Sequence, residues 1–344
     1  LGVFLRPIEE RIFDSIAELY RHPTVMKGMN SSRSGRIMFE KWNAFKNPVA
    51  VGLDASRFDQ HVSRVALQWE HDIYLQCFPR RQHRRRLKWL LRMQLNNQCS
   101  GYTEDGMLRY HTDGVRMSGD MNTSLGNCVL MCCLVMAYAR SKGVFVHLAN
   151  NGDDCVVFLE MTDLPTFMEG LSEWFLGMGF NMAVEEPCTQ FESIEFCQTH
   201  PVYVGPLPHD YLMVRHPKWA IAKDTICVHN YLKEKEFRGW LHAVGTRGLA
   251  MNGGIPIFQS FYSCYLRFGV FVKWIDAAQS WGVRALERGM RRQAQTITPA
   301  TRASFYWAFG ITPDEQLCIE RFYEGVTWSA VPELVEQYRP PMPS

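Results

Sequence analysis

The stretch "VFVHLANNGDDCVVFLE" (144–160) constrains the fold most. It reads as two apolar strands, 144–149 and 155–159, joined by a short polar link. A parallel pair needs a crossover of a dozen or more residues, so the link predicts an antiparallel hairpin. The turn carries Gly152, Asp153 and Asp154. Adjacent carboxylates repel and shift each other's pKa. A divalent cation removes that repulsion, and hard oxygen ligands suit Mg²⁺. Asn-Gly turns are common, so this turn alone is a weak signal.

Two further elements change its weight. "GLDASRFDQ" (52–60) puts Asp54 at the end of a buried strand and Asp59 at the start of a helix. A carboxylate ending a buried strand is costly unless it is paired or metal-bound. Asp54 and Asp153 at adjacent strand ends could hold two metals at the spacing that nucleotidyl transfer uses. "MSGDMNTSLGN" (117–127) is a loop, Ser118-Gly119, opening into a helix with Asn122 and Thr123 as capping-type side chains. A plain cap is the simpler account of Thr123. Asn122 beside Asp59 could instead hydrogen-bond a sugar hydroxyl, and a 2′-OH is both donor and acceptor.

The remaining pattern is mixed. Helical spacing covers 7–20, 60–76, 80–95, 123–139 and 164–178, and a strand spans 47–56. Asp105-Gly106 predicts a hairpin within 102–110, and 194–205 reads as a hairpin pair. From about 214 onward the pattern is mainly helical, ending in a Pro-rich tail. This order predicts an α+β fold: a small antiparallel sheet backed by helices. At 344 residues the chain is long enough for two or three subdomains. A net charge of +2 says little about partners, but 80–92 and 284–293 are basic clusters. One such run is usually a solvated helix face; two fit a polyanion channel. The 11 cysteines include no CxxC pair, so no zinc site is expected, and buried free thiols suit a reducing compartment. No signal peptide is visible. The longest uncharged apolar run, 128–139, is shorter than the roughly 20 residues a bilayer requires.

The ordered set "GLDASRFDQHVS", "RMSGDMNTSLGN" and "NGDD" resembles motifs A, B and C of positive-strand RNA virus RNA-dependent RNA polymerases, in particular the tombusvirus/carmovirus-like group. "PTVMKGMN" (23–30), "FNMAVEEP" and "IEFCQ" are similar to that group as well. The resemblance covers nearly the whole chain. It implies a right-hand fold, with a palm built on the antiparallel sheet, partial fingers and a helical thumb. The implied spans are 1–47 fingers remnant, 48–76 palm, 77–113 fingers insertion, 114–213 palm and 214–344 thumb. It implies RNA-directed RNA synthesis from NTPs on an RNA template, with Mg²⁺ (Mn²⁺ as substitute) held by Asp54, Asp153 and Asp154. Asp59, Ser118, Gly119, Asn122 and Thr123 would bind the nucleotide and its ribose. Cys197 and Gln198 in the primer-grip hairpin, and Arg291 and Arg292 in the thumb, would contact RNA. The implied setting is the host cytoplasm, at membrane-associated replication complexes. Anchoring would come from a viral replication partner or from an upstream segment, with no transmembrane segment in this chain.

Two departures accompany the resemblance. The basic fingers motif that grips the triphosphate has no match in 1–48, where Lys27, Arg33 and Arg36 are basic but differently arranged. The chain also opens mid-helix on Leu1, so that motif is expected upstream. No lysine lies between Lys142 and Lys218 to protonate pyrophosphate, which leaves Arg215, a histidine or water for that role. A reverse transcriptase, which shares the palm, fits less well: its turn usually carries Tyr-x-Asp-Asp and its sugar gate is bulky. A non-catalytic scaffold on a degenerate palm should have lost its aspartates first.

Overall fold

The computed structural model describes residues 1–205, 207, 210–228, 233–278 and 289–328. The chain divides into two compact units. One comprises Leu1–Lys27 and Glu40–Thr189, the other Gly28–Phe39 and Gln190–Ser344.

The first unit is built on a four-stranded antiparallel sheet of order β4-β5-β1-β6, with β1 Pro48–Ala55, β4 His147–Asn150, β5 Asp154–Glu160 and β6 Met182–Val184. β1 is central and buried along nearly all its length, which explains its unbroken Val/Leu character. The antiparallel hairpin expected from the short link is present, and the fold class is α+β. β6 has only three residues, too short for an alternation signal, and was not anticipated from sequence.

Helices cover this sheet. In α1 (Gly2–Tyr20) the residues Leu5, Ile8, Ile12, Ile16 and Tyr20 recur at three- and four-residue spacing and are buried. α6 (Thr123–Lys142) is apolar all round because it is the core helix of the unit. Among the described residues it is the one helix long and apolar enough to cross a membrane. It matches the helix read over 123–139 and runs on through Arg140–Lys142.

Several expected elements are subdivided. Val62 is extended and Ser63 accepts from Ala66 N, so the helix expected from residue 60 becomes α3 (Phe58–His61) and α4 (Arg64–Gln76). Gly170, at φ +70°, splits 164–178 into α7 (Leu164–Met168) and α8 (Leu171–Gly177). α5 spans Arg81–Arg92. The next hairpin is longer than expected, β2 Asn96–Thr103 against β3 Gly106–Asp113. Thr103 pairs with Gly106, so its turn is Glu104-Asp105, one residue before the Asp105-Gly106 expectation.

In the second unit, β7 (Thr199–Tyr203) pairs with β8 (Tyr211–Arg215), and the pairing expected within 194–205 reduces to a single Phe196–Thr199 bridge. Helices α9 (Pro217–Asp224), α10 (Glu234–Asn252), α11 (Phe258–Phe268), α12 (Lys273–Ala278), Pro299–Phe309 and Pro313–Gly325 follow, in keeping with the helical pattern read there. α2 (Ser31–Trp42) runs through the Phe39/Glu40 division.

Candidate active site

Two of the three carboxylates occupy facing positions on the sheet. In the β1–β5 register Asp54 stands directly opposite Asp154, with Asp153 in the preceding turn. Directly opposed like charges destabilise a strand pair. Asp54 is exposed and Asp153 and Asp154 are half-buried, so all three carboxylates have access to solvent.

The turn is pinned from below by a residue the sequence reading did not single out. Asn150 is fully buried; its Nδ2 donates to the Gly152 carbonyl (2.6 Å), and its Oδ1 accepts from Gly152 N (3.2 Å). Asn151 N donates to the Asp154 carbonyl (2.9 Å), closing the turn, and Gly152 takes φ +99°. Residues 24–26 run parallel to the end of β4, through Asn150 N to Thr24 O (2.9 Å) and Met26 N to Asn150 O (2.8 Å). That pairing brings Lys27 alongside the turn: its Nζ lies 3.9 Å from where a Cβ on Gly152 would sit.

Asp59 is the second focus. Its Oδ2 accepts from Ser118 Oγ (2.6 Å) and its Oδ1 from Asn127 Nδ2 (2.8 Å). Asn122 is not beside Asp59, which corrects the sequence expectation. It is fully buried, its Nδ2 donates to Glu70 Oε1 (2.7 Å), and its Oδ1 accepts from Gln94 Nε2 (2.6 Å). Both ends of its amide are consumed inside the protein. Asn127, on the first turn and a half of α6, takes the place expected for Asn122. Helical spacing from Thr123 to Asn127 was the available signal, since i and i+4 share a face. Asn127 is nearly buried and its Oδ1 has no protein partner.

The capping expectation also changes. Asn122 precedes α6 without a side-chain cap bond, and Thr123 Oγ1 donates back to the Met117 carbonyl (2.8 Å), bracing the loop. A Cβ on Gly119 would meet no protein atom within 4 Å. Nothing in the fold therefore requires glycine there.

Beneath the loop lies a buried polar network. Glu70 and Arg116 form an ion pair with both side chains inaccessible. Glu70 also accepts from Tyr74 Oη (2.7 Å) and Asn122, and burial beside it pushes the Tyr74 phenol well up. Gln94 links Asn122 to His71 (3.2 Å), whose pKa burial lowers. Arg116 N donates to the Asp59 carbonyl (3.0 Å), so the network ties the Ser118 loop to the Asp59 segment.

In the second unit, Cys197 and Gln198 form a tight turn in which Phe196 and Thr199 exchange backbone bonds of 2.9 and 3.0 Å. Both central residues have positive φ, 53° and 58°. Asn-Gly is the usual pair for such a turn, and left-handed backbone costs each L-residue about 1–2 kcal/mol. Replacing Cys197-Gln198 with Asn-Gly is expected to raise the folding stability by about 1–2 kcal/mol in denaturant titration.

The expected thumb arginines lie outside helix. Residues 279–288 fall outside the described residues, and 290–298 have no regular structure. Arg291 is exposed. Arg292 is committed to the fold: its Nε donates to the Gly253 carbonyl (2.7 Å), and burial lowers its pKa. Arg215 is equally committed, bonded to Asp224 (2.6 Å) and to Tyr262 Oη (3.2 Å). Burial draws its pKa down, but those bonds outweigh it and the net shift is upward. A guanidinium held that firmly protonated is no proton donor.

The donor set has the chemistry of a hard-cation site, with three carboxylates at one end of two paired strands. The side chains as they stand are not gathered into a cluster: among the described residues no three His, Cys, Asp or Glu side chains form a ready metal-binding group. The cysteines are free, and burial pushes the Cys128 thiol up to about 12.

Comparison with known proteins agrees with this geometry. The family model described as viral RNA dependent RNA polymerase matches residues 1–331. The RNA-directed RNA polymerase of Oat chlorotic stunt virus (isolate United Kingdom) is 52% identical over 337 residues, covering 94% of this chain and 44% of the relative. That of Tobacco necrosis virus (strain A) is 45% identical over 94% of this chain and 44% of its own length. That of Turnip crinkle virus is 39% identical over 95% of this chain and 42% of its own. The chain thus spans less than half the length of these relatives. With a match that runs through the Asp54, Ser118 and Asp153 segments alike, the chain belongs to the viral RNA-dependent RNA polymerase family.

Proposed function

We propose that this chain is the polymerase portion of a viral replicase. It adds nucleotides from NTPs to a growing RNA 3′ end on an RNA template and so copies a positive-strand genome. The observation that carries the proposal is the conjunction on one sheet end of the Asp54–Asp154 pairing with the Asp59–Ser118–Asn127 cluster.

Asp54, Asp153 and Asp154 are the residues that would hold divalent cations, Mg²⁺ with Mn²⁺ as a substitute. When bound, such ions lower the pKa of an attacking hydroxyl and neutralise the triphosphate and its leaving group. The protein's own part is positioning. Lys27 places a fixed positive charge beside the carboxylate turn. Asp59 keeps a free lone pair on each oxygen after accepting from Ser118 and Asn127, and Asn127 Oδ1 is a further acceptor. A ribose hydroxyl can donate into this set. A deoxyribose leaves the buried Asn127 Oδ1 without a donor, at a cost of about 1–3 kcal/mol. The open space at Gly119 leaves room for the nucleotide against the loop that Thr123 braces.

The first unit holds the palm spans 48–76 and 114–189 and the fingers insertion 77–113, and the second holds 28–39 of the fingers remnant, the rest of the palm span to 213 and the thumb, 214–344. Within the second unit Cys197, Gln198 and Arg291 are the candidates for RNA contact; strain retained at the Cys197-Gln198 turn supports a functional role for it. Arg292 is better assigned to the fold. Template, nascent RNA and NTPs are the partners, in the host cytoplasm at membrane-associated complexes, with anchoring by a viral partner or by sequence upstream.

The test is primed extension of a radiolabelled RNA on an RNA template. Asn127→Ala is expected to reduce ribo- over deoxyribonucleotide selection by about 10- to 100-fold, matching the loss of one such hydrogen bond. Asn122→Ala is expected to lower stability and leave the selection ratio of the folded enzyme unchanged. The reverse pattern would return the sugar-reading role to Asn122. Absence of template-dependent addition by the chain with its upstream sequence restored would overturn the proposal.

A further inference from the structure

α5 presents a feature that the catalytic reading does not use. Residues 73–103 contain seven Lys and Arg and no Asp or Glu. On the helix, Arg81, Arg84, Arg85, Lys88 and Arg92 fall at i, i+3, i+4, i+7 and i+11. That spacing places them in one stripe about 100° wide and about 16 Å long. All five are exposed. Arg84 Nε is anchored to the Phe78 carbonyl (3.1 Å). Among the described residues, Arg81, Arg85, Lys88 and Arg92 form no ion pair. Trp89 and Met93 flank the stripe, 59% and 54% exposed.

A solvated helix usually intersperses acids among such cations; this one lacks them. A row of uncompensated charges repels itself, and a polyanion laid along it relieves that repulsion. Two polyanions come into question, nucleic acid and an anionic bilayer. A bilayer-bound amphipathic helix must insert its apolar face. Here that face is already spent, with Leu87 at 0% and Leu91 at 1% exposure inside the first unit. The dominance of arginine favours phosphodiesters, which its planar fork meets in a bidentate way. Trp89 offers a ring on which a base can stack.

We propose that the outer face of α5 is a sequence-independent RNA-binding surface, separate from the carboxylate site, that holds the phosphate backbone of an RNA strand. The choice of RNA rests on the polymerase reading, but binding itself needs neither catalysis nor NTPs. The experiment therefore measures equilibrium binding of a fluorescein-labelled, unstructured RNA oligonucleotide by anisotropy across a salt series. It compares the chain with the triple variant Arg85→Gln, Lys88→Gln, Arg92→Gln, whose replacements keep helix propensity. The variant is expected to retain its thermal melting profile and to bind at least tenfold more weakly at low salt. Its log K against log [salt] slope should be shallower by about 2, the value for three lost phosphate contacts on a single strand. Arg85→Lys with Arg92→Lys should keep most of the slope. An unchanged slope and affinity in the glutamine variant overturns the proposal. So does an unchanged RNA affinity accompanied by lost binding to phosphatidylserine vesicles, which would assign the stripe to membrane. Failure of the polymerase reading would appear instead as normal stripe-dependent binding without nucleotide addition.

Discussion

Asp153→Ala is expected to abolish nucleotide addition, a loss of at least about a thousandfold, while the protein stays folded. The side chain is half-buried at a turn. Its removal also relieves repulsion between neighbouring carboxylates, so the melting temperature without divalent cation should hold or rise slightly. Added Mg²⁺ should stabilise the unmodified chain by mass action and the variant less. Primed extension and a thermal shift titration, run in parallel, give both readouts. A variant that still extends primers at the normal rate would dissociate this carboxylate from the chemistry.

Glu70→Ala is expected to be the most destabilising single change near the site, by about 3–5 kcal/mol, because it strands the buried Arg116 guanidinium. It also removes acceptors used by Tyr74 and Asn122. The double variant Glu70→Leu, Arg116→Met should recover much of that loss, since apolar replacement of a buried pair is often neutral or better. Urea titration of the two singles and the double closes the cycle. If Glu70→Ala costs under about 1 kcal/mol, in the range of exposed pairs, the pair does not hold the loop.

The parts of the molecule legible in sequence were those with a short-range physical signature. The antiparallel β4–β5 hairpin that carries Asp153 and Asp154 was legible because a five-residue link admits one pairing direction only, whereas the β1–β5 pairing that brings Asp54 opposite Asp154 is long-range. α1 and α6 could be read from apolar spacing. β6 could not, since three residues define no period and its pairing to β1 is set by the chain beyond it. The Glu104-Asp105 turn was misplaced by one residue because Gly106, the strongest local signal, sits at the strand's first position. Sequence reading put Asn122 beside Asp59 and did not consider Asn127. The helix decides otherwise, turning residue 122 into the interior and residue 127 toward Asp59. Glu70 and Arg116 were invisible as partners because 46 residues separate them, and an exposed and a buried arginine look alike in sequence. Asn150 likewise read as one more polar turn residue.

Gly126 lies in α6 with no space for a side chain: a Cβ there would come within 2.5 Å of both Arg116 and Glu70. Every other amino acid has a Cβ, so every missense change of this codon strikes the ion pair, whatever the base altered. The position lies apart from Asp54, Asp153 and Asp154, yet a side chain there must displace the buried Glu70–Arg116 pair. A substitution that displaces this pair acts at the folding step, before any activity is tried. Passage under mutagenic conditions should leave glycine fixed at 126 while neighbouring α6 positions drift among apolar residues, and synonymous changes should accumulate there freely.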